Sequence, residues 1–325
     1  MITIQDIANK AGVSISTVSR ALDNSTRISL VTRKRIQALA QDMGYTPNFA
    51  AKNLMADESN TVGVVFQPQN SKISGNDFVL HELFGINQQL QSFNYLLATA
   101  TGNSWGEVFE SVKTMVQAGK VRRFILLYTT EHDPITQLLK EFKARVVVTG
   151  EPQANTQTLY VDNDNFNASK QATELITNHF KLNHPIFIRT QGNWLFEDNR
   201  ELGFKSVWPT AQVLKLSESF SDQKQQLKEY FEQHPEVDGI VASDDKIALL
   251  AQLQGEMYLK SHPQLPTIGF NASEYVQLSK ANFYSVDVQP DILGVESVKL
   301  LFNDKCSDSN LNNIMVPYKL PKINN

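Results

Sequence analysis

Residues 4–22 read IQDIANKAGVSISTVSRAL, and this stretch decides how the N-terminal part of the chain folds. Ile4, Ile7, Ala8 and Ala11 fall at i, i+3, i+4 and i+7, one apolar face of a helix. Thr3, with Asp6 three residues on, makes a capping-box-like start. Gly12 ends the helix where a positive φ is needed, and Ser14 is placed to cap a second one. Val18 and Leu22 turn that second helix back on the first, which leaves Ile15, Ser16, Thr17, Ser19 and Arg20 facing outward. Two short helices across a tight glycine turn form a helix-turn-helix, the unit that docks in a DNA major groove. Small hydroxyls and an arginine are side chains that base edges and phosphates can use.

Working outward, a third helix is predicted over 30–43, capped by Ser29, with Ile36, Leu39, Ala40 and Met43 inward and Gly44 as its stop. Tyr45-Thr46-Pro47-Asn48 is a turn with extended backbone before the proline. Residues 49–55 form a helix too short to bear its own nucleation cost, so 48–55 are expected to become helical only on DNA. The charge distribution agrees with a phosphate-binding head. Residues 1–56 carry seven basic and three acidic groups, a net +4, whereas the whole chain of 325 residues is at −4, which leaves −8 for the remainder.

Over DIANKAGVSISTVSRALDN (6–24) and VTRKRIQALAQDMGYTPNFAAKNL (31–54), the chain resembles the DNA-binding head of the LacI/GalR family of bacterial transcription regulators. The match is nearly continuous over 54 residues, from the glycine turn to the hinge. The resemblance implies roles. Ile15 and Ser16 stand at the positions that chiefly choose bases, with Thr17, Ser19 and Arg20 in neighbouring base and phosphate contacts. Thr3, Asn24, Ser29 and Thr32 are candidate backbone anchors, and the capping Ser14 is a further candidate DNA contact. Ala51 belongs to the hinge, and Leu54 matches the leucine that wedges between base pairs in the minor groove. Ile15 offers only apolar contact, for example to a thymine methyl.

From Thr61 the pattern alternates between strands and helices. Strands are predicted at 61–67, 95–101, 124–128, 145–150, 159–164, 185–190, 212–216, 239–243, 266–270, 285–288 and 314–320. Helices are predicted at 78–93, 106–118, 135–142, 168–180, 199–207, 222–233, 246–260 and 292–302. This spacing implies βαβ crossovers and doubly wound parallel sheets, here in two series that suggest two lobes around a cleft. The fold class is thus an all-α helix-turn-helix head plus an α/β two-lobed body. The body resembles the periplasmic-binding-protein-type sensor domain of the same family, through GI at 85–86, VDNDN at 161–165, R–GF at 200–204, ASDD at 242–245, IGF at 268–270 and QP—G at 289–294. That resemblance implies a head over 1–46, a hinge and linker over 47–60, and an effector-binding and dimerisation body over 61–325. Its lobes are expected at 61–161 with 290–313, and at 162–289 with 314–325. The chain departs from the family pattern at its end, where 317–320 lead into PKINN with no leucine-heptad tail. A homodimer is the expected assembly, since a two-fold operator needs two heads.

Candidate ligand groups lie at predicted strand ends: Asp162, Asp164, Arg200, Asp244 and Asn271. A planar arginine with carboxylates and an amide suits a hydroxyl-rich ligand, because each sugar hydroxyl both donates and accepts. In relatives, positions matching Arg200, Ser243 or Asp244, and Asn271 touch the effector, and Asn271 stands where many members carry Asp. Trp194, Phe196, Phe78 and Trp105 are aromatic candidates for stacking on apolar sugar faces. The segments VDNDN, WLFEDNRELGFKS and LYTTEHDP are most similar to the family's maltose-operon repressors, which implies maltose or a related α-glucoside as effector.

Other classes fit poorly. The sequence contains no GxGxxG, GxxxxGK[ST] or GxSxG, and its six histidines form no HExxH. No enzyme activity, cofactor or metal is expected, and Asp244-Asp245 reads as a helix cap and ligand contact rather than a catalytic pair. Cys306 is the lone cysteine, so no intramolecular disulfide forms. No apolar run approaches a membrane span and no signal peptide is evident, which points to the cytoplasm. The alternatives are a cytoplasmic sugar-binding or sugar-modifying protein in which the helix-turn-helix is secondary, and a transport binding protein, which would lie in the wrong compartment.

Overall fold

The structure, a computed structural model, describes residues 2–22, 24–45, 58–68, 77–128, 133–152, 158–192, 194–217, 219–259, 264–279, 281–303 and 313–323. Ala51, Leu54 and the helix expected over 49–55 lie outside the described residues. The chain divides into two units, Met1–Glu58 and Ser59–Asn325.

In the first unit, α1 (Ile4–Ala11), α2 (Ile15–Leu22) and α3 (Leu30–Asp42) enclose a small core of Ile7, Ala8, Val18, Ala21, Ile36 and Ala40. Their ends are closed by the expected residues. The Thr3 hydroxyl accepts from the Asp6 amide while Asp6 accepts from the Thr3 amide at 2.8 Å, and Gly12 adopts φ +66°. Ser29 accepts from the Thr32 amide at the start of α3. Two longer side chains tie the helices together. The Arg35 guanidinium donates to the Ala11 carbonyl at 3.1 Å, and Gln37 donates to the Ala21 carbonyl and to Asn24 Oδ1. The bonds to Ala11 and Ala21 satisfy carbonyls near helix C-termini.

The second unit holds two parallel sheets. The first comprises β1 (Thr61–Val65), β2 (Leu96–Ala100), β3 (Arg123–Leu126), β4 (Arg145–Thr149), β5 (Leu159–Asp162) and β11 (Asn313–Met315), in the order β11-β5-β4-β3-β1-β2. Valine-rich runs such as RVVVT suit strands covered on both faces. One face is covered by α4 (Asp77–Ser92) and α12 (Pro290–Leu301), the other by α5 (Trp105–Gln117) and α6 (Pro134–Glu141). The second sheet comprises β6 (Pro185–Thr190), β7 (Val213–Leu216), β8 (Gly239–Ala242), β9 (Thr267–Phe270) and β10 (Phe283–Val286), in the order β10-β9-β8-β6-β7. It lies between α7 (Asn165–Phe180) with α8 (Leu195–Val207), and α9 (Phe220–Gln233) with α10 (Asp245–Tyr258). A short α11 (Tyr275–Leu278), absent from the sequence reading, precedes β10. Strand order reverses between β1 and β3 and between β6 and β8, the places where open α/β folds accept ligands.

The chain passes from the first sheet to the second after Asp162, returns before Pro290, and passes a third time after Met315. Asn163, 5% exposed, joins these passages: its amide donates to the Val288 carbonyl at 3.1 Å and to the Val316 carbonyl at 2.9 Å. Asp287 and Lys319 form a single antiparallel bridge beside it.

Several boundaries differ from expectation for local reasons. Helix α8 begins at Leu195 rather than 199, which places Glu197 and Asp198 in its first turn, where the helix dipole favours carboxylates. Helix α7 begins at Asn165 rather than 168, capped by Asp164. The strand expected at 285–288 is β10 at Phe283–Val286, because Asp287 and Val288 belong to the passage between sheets. The last strand stops at Met315, two residues before Pro317, which has no N–H for the ladder. Among the described residues no helix is long and apolar enough to cross a membrane.

Candidate functional site

In the head, α2 presents Ile15, 44% exposed, together with exposed Ser16 and Arg20, while Thr17 and Ser19 are half-buried. Ser14 caps this helix: its hydroxyl accepts from the Thr17 amide at 3.2 Å and lies 2.9 Å and 2.8 Å from the Ser16 and Thr17 hydroxyls. Thr3, Ser14 and Ser29 therefore stand at the N-termini of all three helices, where the dipole's positive end and free amides attract phosphate. Thr3 and its amide also hold the Asp6 carboxyl below its ordinary range. Thr32 accepts from the Ser29 hydroxyl, and Asn24, at φ +55°, accepts from Gln37. The exposed edge of the head is thus lined with short hydroxyls and one arginine, with Val18 and Ala21 beneath them in the core.

In the body, the predicted residues converge on Arg200. This side chain is 4% exposed and lies within α8 rather than at a strand end as expected, because α8 begins at Leu195. Its Nε donates to Asn165 Oδ1 at 2.9 Å and its Nη1 to the Ser243 carbonyl at 2.6 Å. The guanidinium lies 4.2 Å from the Phe270 ring centroid and 5.0 Å from that of Phe196, so Phe196 covers the arginine. Burial pushes the Arg200 pKa down to about 10, against the carboxylates of Asp162, Asp244, Glu197 and Asp245, and the group remains charged at neutral pH. Asp162 is raised by burial and held back chiefly by the Asn163 and Glu151 amides, with Arg200 contributing. Asp244 caps α10, accepting from the Ile247 amide at 2.9 Å, and is likewise raised by burial. Asp162, Arg200, Ser243 and Asp244 therefore form one linked group in which a buried guanidinium faces several carboxylates. Such a group suits a neutral polyhydroxy ligand that can donate to carboxylates and accept from the guanidinium.

The remaining candidates stand around it. Phe78, on α4, packs against the cores of both sheets. Asn271 follows β9 at φ +104°, with Ala272 at φ +46°, and its side chain makes no hydrogen bond among the described residues. The loop is fixed by Asp245, which accepts from the Ser273 amide and hydroxyl, and by the Ala272 amide donating to Ser285. Trp194 is half-buried and would collide with any Cβ on Gly192, its indole nitrogen lying 2.3 Å from that position. Asp164 is occupied as the cap of α7, accepting from the Asn167 amide and side chain. Trp105 packs edge-on against Tyr128 at 5.0 Å and is not brought to Arg200 by any contact among the described residues.

Three parts of this arrangement escaped the sequence reading. Asn165 orients Arg200, and its place in VDNDN was its only signal. Arg189, 2% exposed, bonds Asp198, Glu201 and the Gly192 carbonyl, and so holds α8 and the loop before it to β6. Glu82, 1% exposed on α4, is the third. Among the described residues no group of three or more His, Cys, Asp or Glu is arranged to hold a metal.

Residues 3–48 match the family described as bacterial regulatory proteins, lacI family, and residues 59–298 match periplasmic binding proteins and sugar binding domain of LacI family. The chain is 28% identical over 310 residues to the HTH-type transcriptional regulator MalR of Staphylococcus xylosus, covering 93% of this chain and 91% of that protein. Its fold is similar to that of a transcriptional regulator CelR–cellobiose complex, with TM-score 0.71 and 22% identity over 99% of both chains. It is also similar to the lac repressor dimer bound to operator and the anti-inducer ONPF, with TM-score 0.71 and 16% identity over 99% of this chain and 98% of that one. The chain belongs to the LacI family of bacterial regulatory proteins, as a helix-turn-helix DNA-binding transcription regulator with a two-sheet body of the family's sugar-binding type, and it is not an enzyme.

Proposed function

We propose that this regulator represses a sugar-utilisation operon in the cytoplasm, binding a two-fold operator as a homodimer and releasing it when maltose or a related α-glucoside enters the cleft at Arg200. The observation that carries the reading is the buried Arg200 group, one guanidinium among Asp162, Asp244 and Ser243, at the strand ends of a body attached to a DNA-reading head. Ile15 and Ser16 choose bases, Thr17, Ser19 and Arg20 make the flanking contacts, and Thr3, Ser14, Asn24, Ser29 and Thr32 grip the backbone. Ala51 and Leu54 serve the minor groove. The sugar class is supported by the MalR relative and by the fold shared with a cellobiose-bound regulator. Phe78, Asp164, Trp194 and Asn271 complete the pocket wall. Ligand acts by its difference in affinity between two lobe arrangements, which sets the largest change in operator affinity it can cause.

The test is a mobility shift on the DNA upstream of the chain's own gene and its neighbours, with maltose, maltotriose, cellobiose, sucrose and a galactoside. Maltose or maltotriose is expected to weaken the complex, and Arg200→Met to abolish that response while the sugar-free complex persists. Operator binding unchanged by every sugar would overturn the effector reading, and no shift on any of this DNA would overturn the operator reading.

A further inference from the structure

The groups gathered around Arg200 come mainly from α7, α8, β8 and α10, the second sheet's side of the cleft. A ligand held between two lobes needs polar partners on the other side as well. Glu82 lies on α4 one turn beyond Phe78 and one turn before Ile86, on the face that packs against the first sheet. Phe78 and Ile86 are apolar, and the helix would pack as well or better with leucine between them. The glutamate is nevertheless 1% exposed, and its Oε1 has no hydrogen-bond partner at ordinary distance and angle. Thr149, the last residue of β4, has a buried hydroxyl that likewise lacks a well-formed bond; it stands beside the Glu82 carboxyl, near enough to favour its charged form. Asp162, the last residue of β5, is close enough to both Glu82 and Arg200 to shift their ionisation, which makes the two halves continuous.

A buried polar group without a partner costs stability, and such groups persist where function uses them. We infer that Glu82 and Thr149 form the first-sheet polar subsite of the effector cleft and take adjacent hydroxyls of the sugar. This inference rests on the sugar-effector reading above. Burial, with Asp162 nearby, pushes the Glu82 carboxyl up to about 8, so at neutral pH it is largely a neutral acid. A neutral carboxyl donates one hydrogen bond and accepts others, as a sugar hydroxyl does, and Thr149 supplies a second rotatable hydroxyl. Phe78, packed against both cores one turn away, provides an apolar wall over the same place.

The full chain and its variants Glu82→Leu, Glu82→Gln and Thr149→Val are titrated with maltose and maltotriose by calorimetry, and their Tm values are measured without sugar. Glu82→Leu is expected to bind at least tenfold more weakly while melting at or above the wild-type temperature, because it removes a buried carboxyl that has no well-formed bond. Glu82→Gln and Thr149→Val are each expected to bind several-fold more weakly, with sugar-free operator affinity unchanged. Wild-type affinity in Glu82→Leu, or weaker binding together with a lowered Tm, would show a structural carboxyl and overturn the inference. If Glu82→Leu does not fold, wild-type affinity in both other variants overturns it equally. Failure of the underlying reading looks different: the wild type itself then binds neither sugar, and the subsite falls with it.

Discussion

At the scale of single residues, the body is organised by charges kept from water. Arg200 retains its proton because carboxylates surround it, while Asp162, Glu197, Asp244 and Asp245 are all pushed upward by burial. Glu82 is the group whose titration separates most cleanly. Its ordinary value of 4.5 moves to about 8 in the folded chain, so the folded state holds a proton that the unfolded state releases. Stability tied to that proton is complete below about 4.5 and is lost as pH rises towards 8. Asp245, raised to about 6, adds a loss of the same sign over a lower range. The wild type is therefore expected to lose Tm relative to Glu82→Gln between pH 5 and pH 8. Parallel Tm curves over that interval would show that Glu82 is ionised throughout. Sequence reading identified Arg200 through the family's R–GF segment and expected it at a strand end, whereas it lies inside α8. It passed over Glu82 because a glutamate on a helix is normally read as solvated, and only the packing of α4 against the first sheet encloses it.

At the scale of elements, local rules account for most of the fold. The capping box at Thr3, the left-handed Gly12 and the Ser29 cap were all legible, because each depends on residues within one turn of the other. Strands β1 to β9 were legible as apolar runs for the same reason. Contacts between elements were not. Gly85 was visible only as part of a family segment, whereas the structure supplies its purpose. A Cβ there would lie 1.9 Å from the Asp291 carbonyl oxygen, and one on Gly294 would lie 2.2 Å from the Glu82 carbonyl oxygen. Helices α4 and α12 thus meet backbone to backbone, with each glycine facing the other helix. Two effects oppose each other in Gly85→Ala. Helix propensity favours alanine by about 1 kcal/mol, while separating two packed helices costs about 1–3 kcal/mol or more. The second is expected to win, because the obstructing atoms are backbone and cannot rotate away. Urea denaturation followed by a signal from the body should show a lowered midpoint for Gly85→Ala. A midpoint at or above the wild-type value would mean that the two helices can part at little cost.

At the scale of the whole body, the central feature is how three chain passages between the sheets are joined. The two series of strands made two lobes legible from sequence, but no local pattern could show which residue connects the passages, since the partners lie more than a hundred positions apart. Asn163 does so with one amide group shared between the Val288 and Val316 carbonyls, while Gln289 donates to the Pro317 carbonyl and Asp287 pairs with Lys319. A hinge of this kind permits rotation of the lobes as a unit and resists independent movement of any one passage. If ligand acts by selecting one lobe arrangement, its effect depends on the arrangements remaining distinct. Asn163→Ala leaves two buried carbonyls without their donor, each costing about 1–3 kcal/mol, and loosens the first passage from the other two, which stay joined through Gln289 and the Asp287–Lys319 bridge. The variant is expected to bind the operator without sugar, because the head folds around its own core. Its sugar titration should nevertheless show a smaller change in operator affinity, since intermediate lobe angles dilute the difference between states. Mobility shifts with and without saturating maltose measure that ratio directly. A ratio equal to the wild type's, in a variant shown by its lowered Tm to have lost the bonds, would place the coupling elsewhere than in the joined passages.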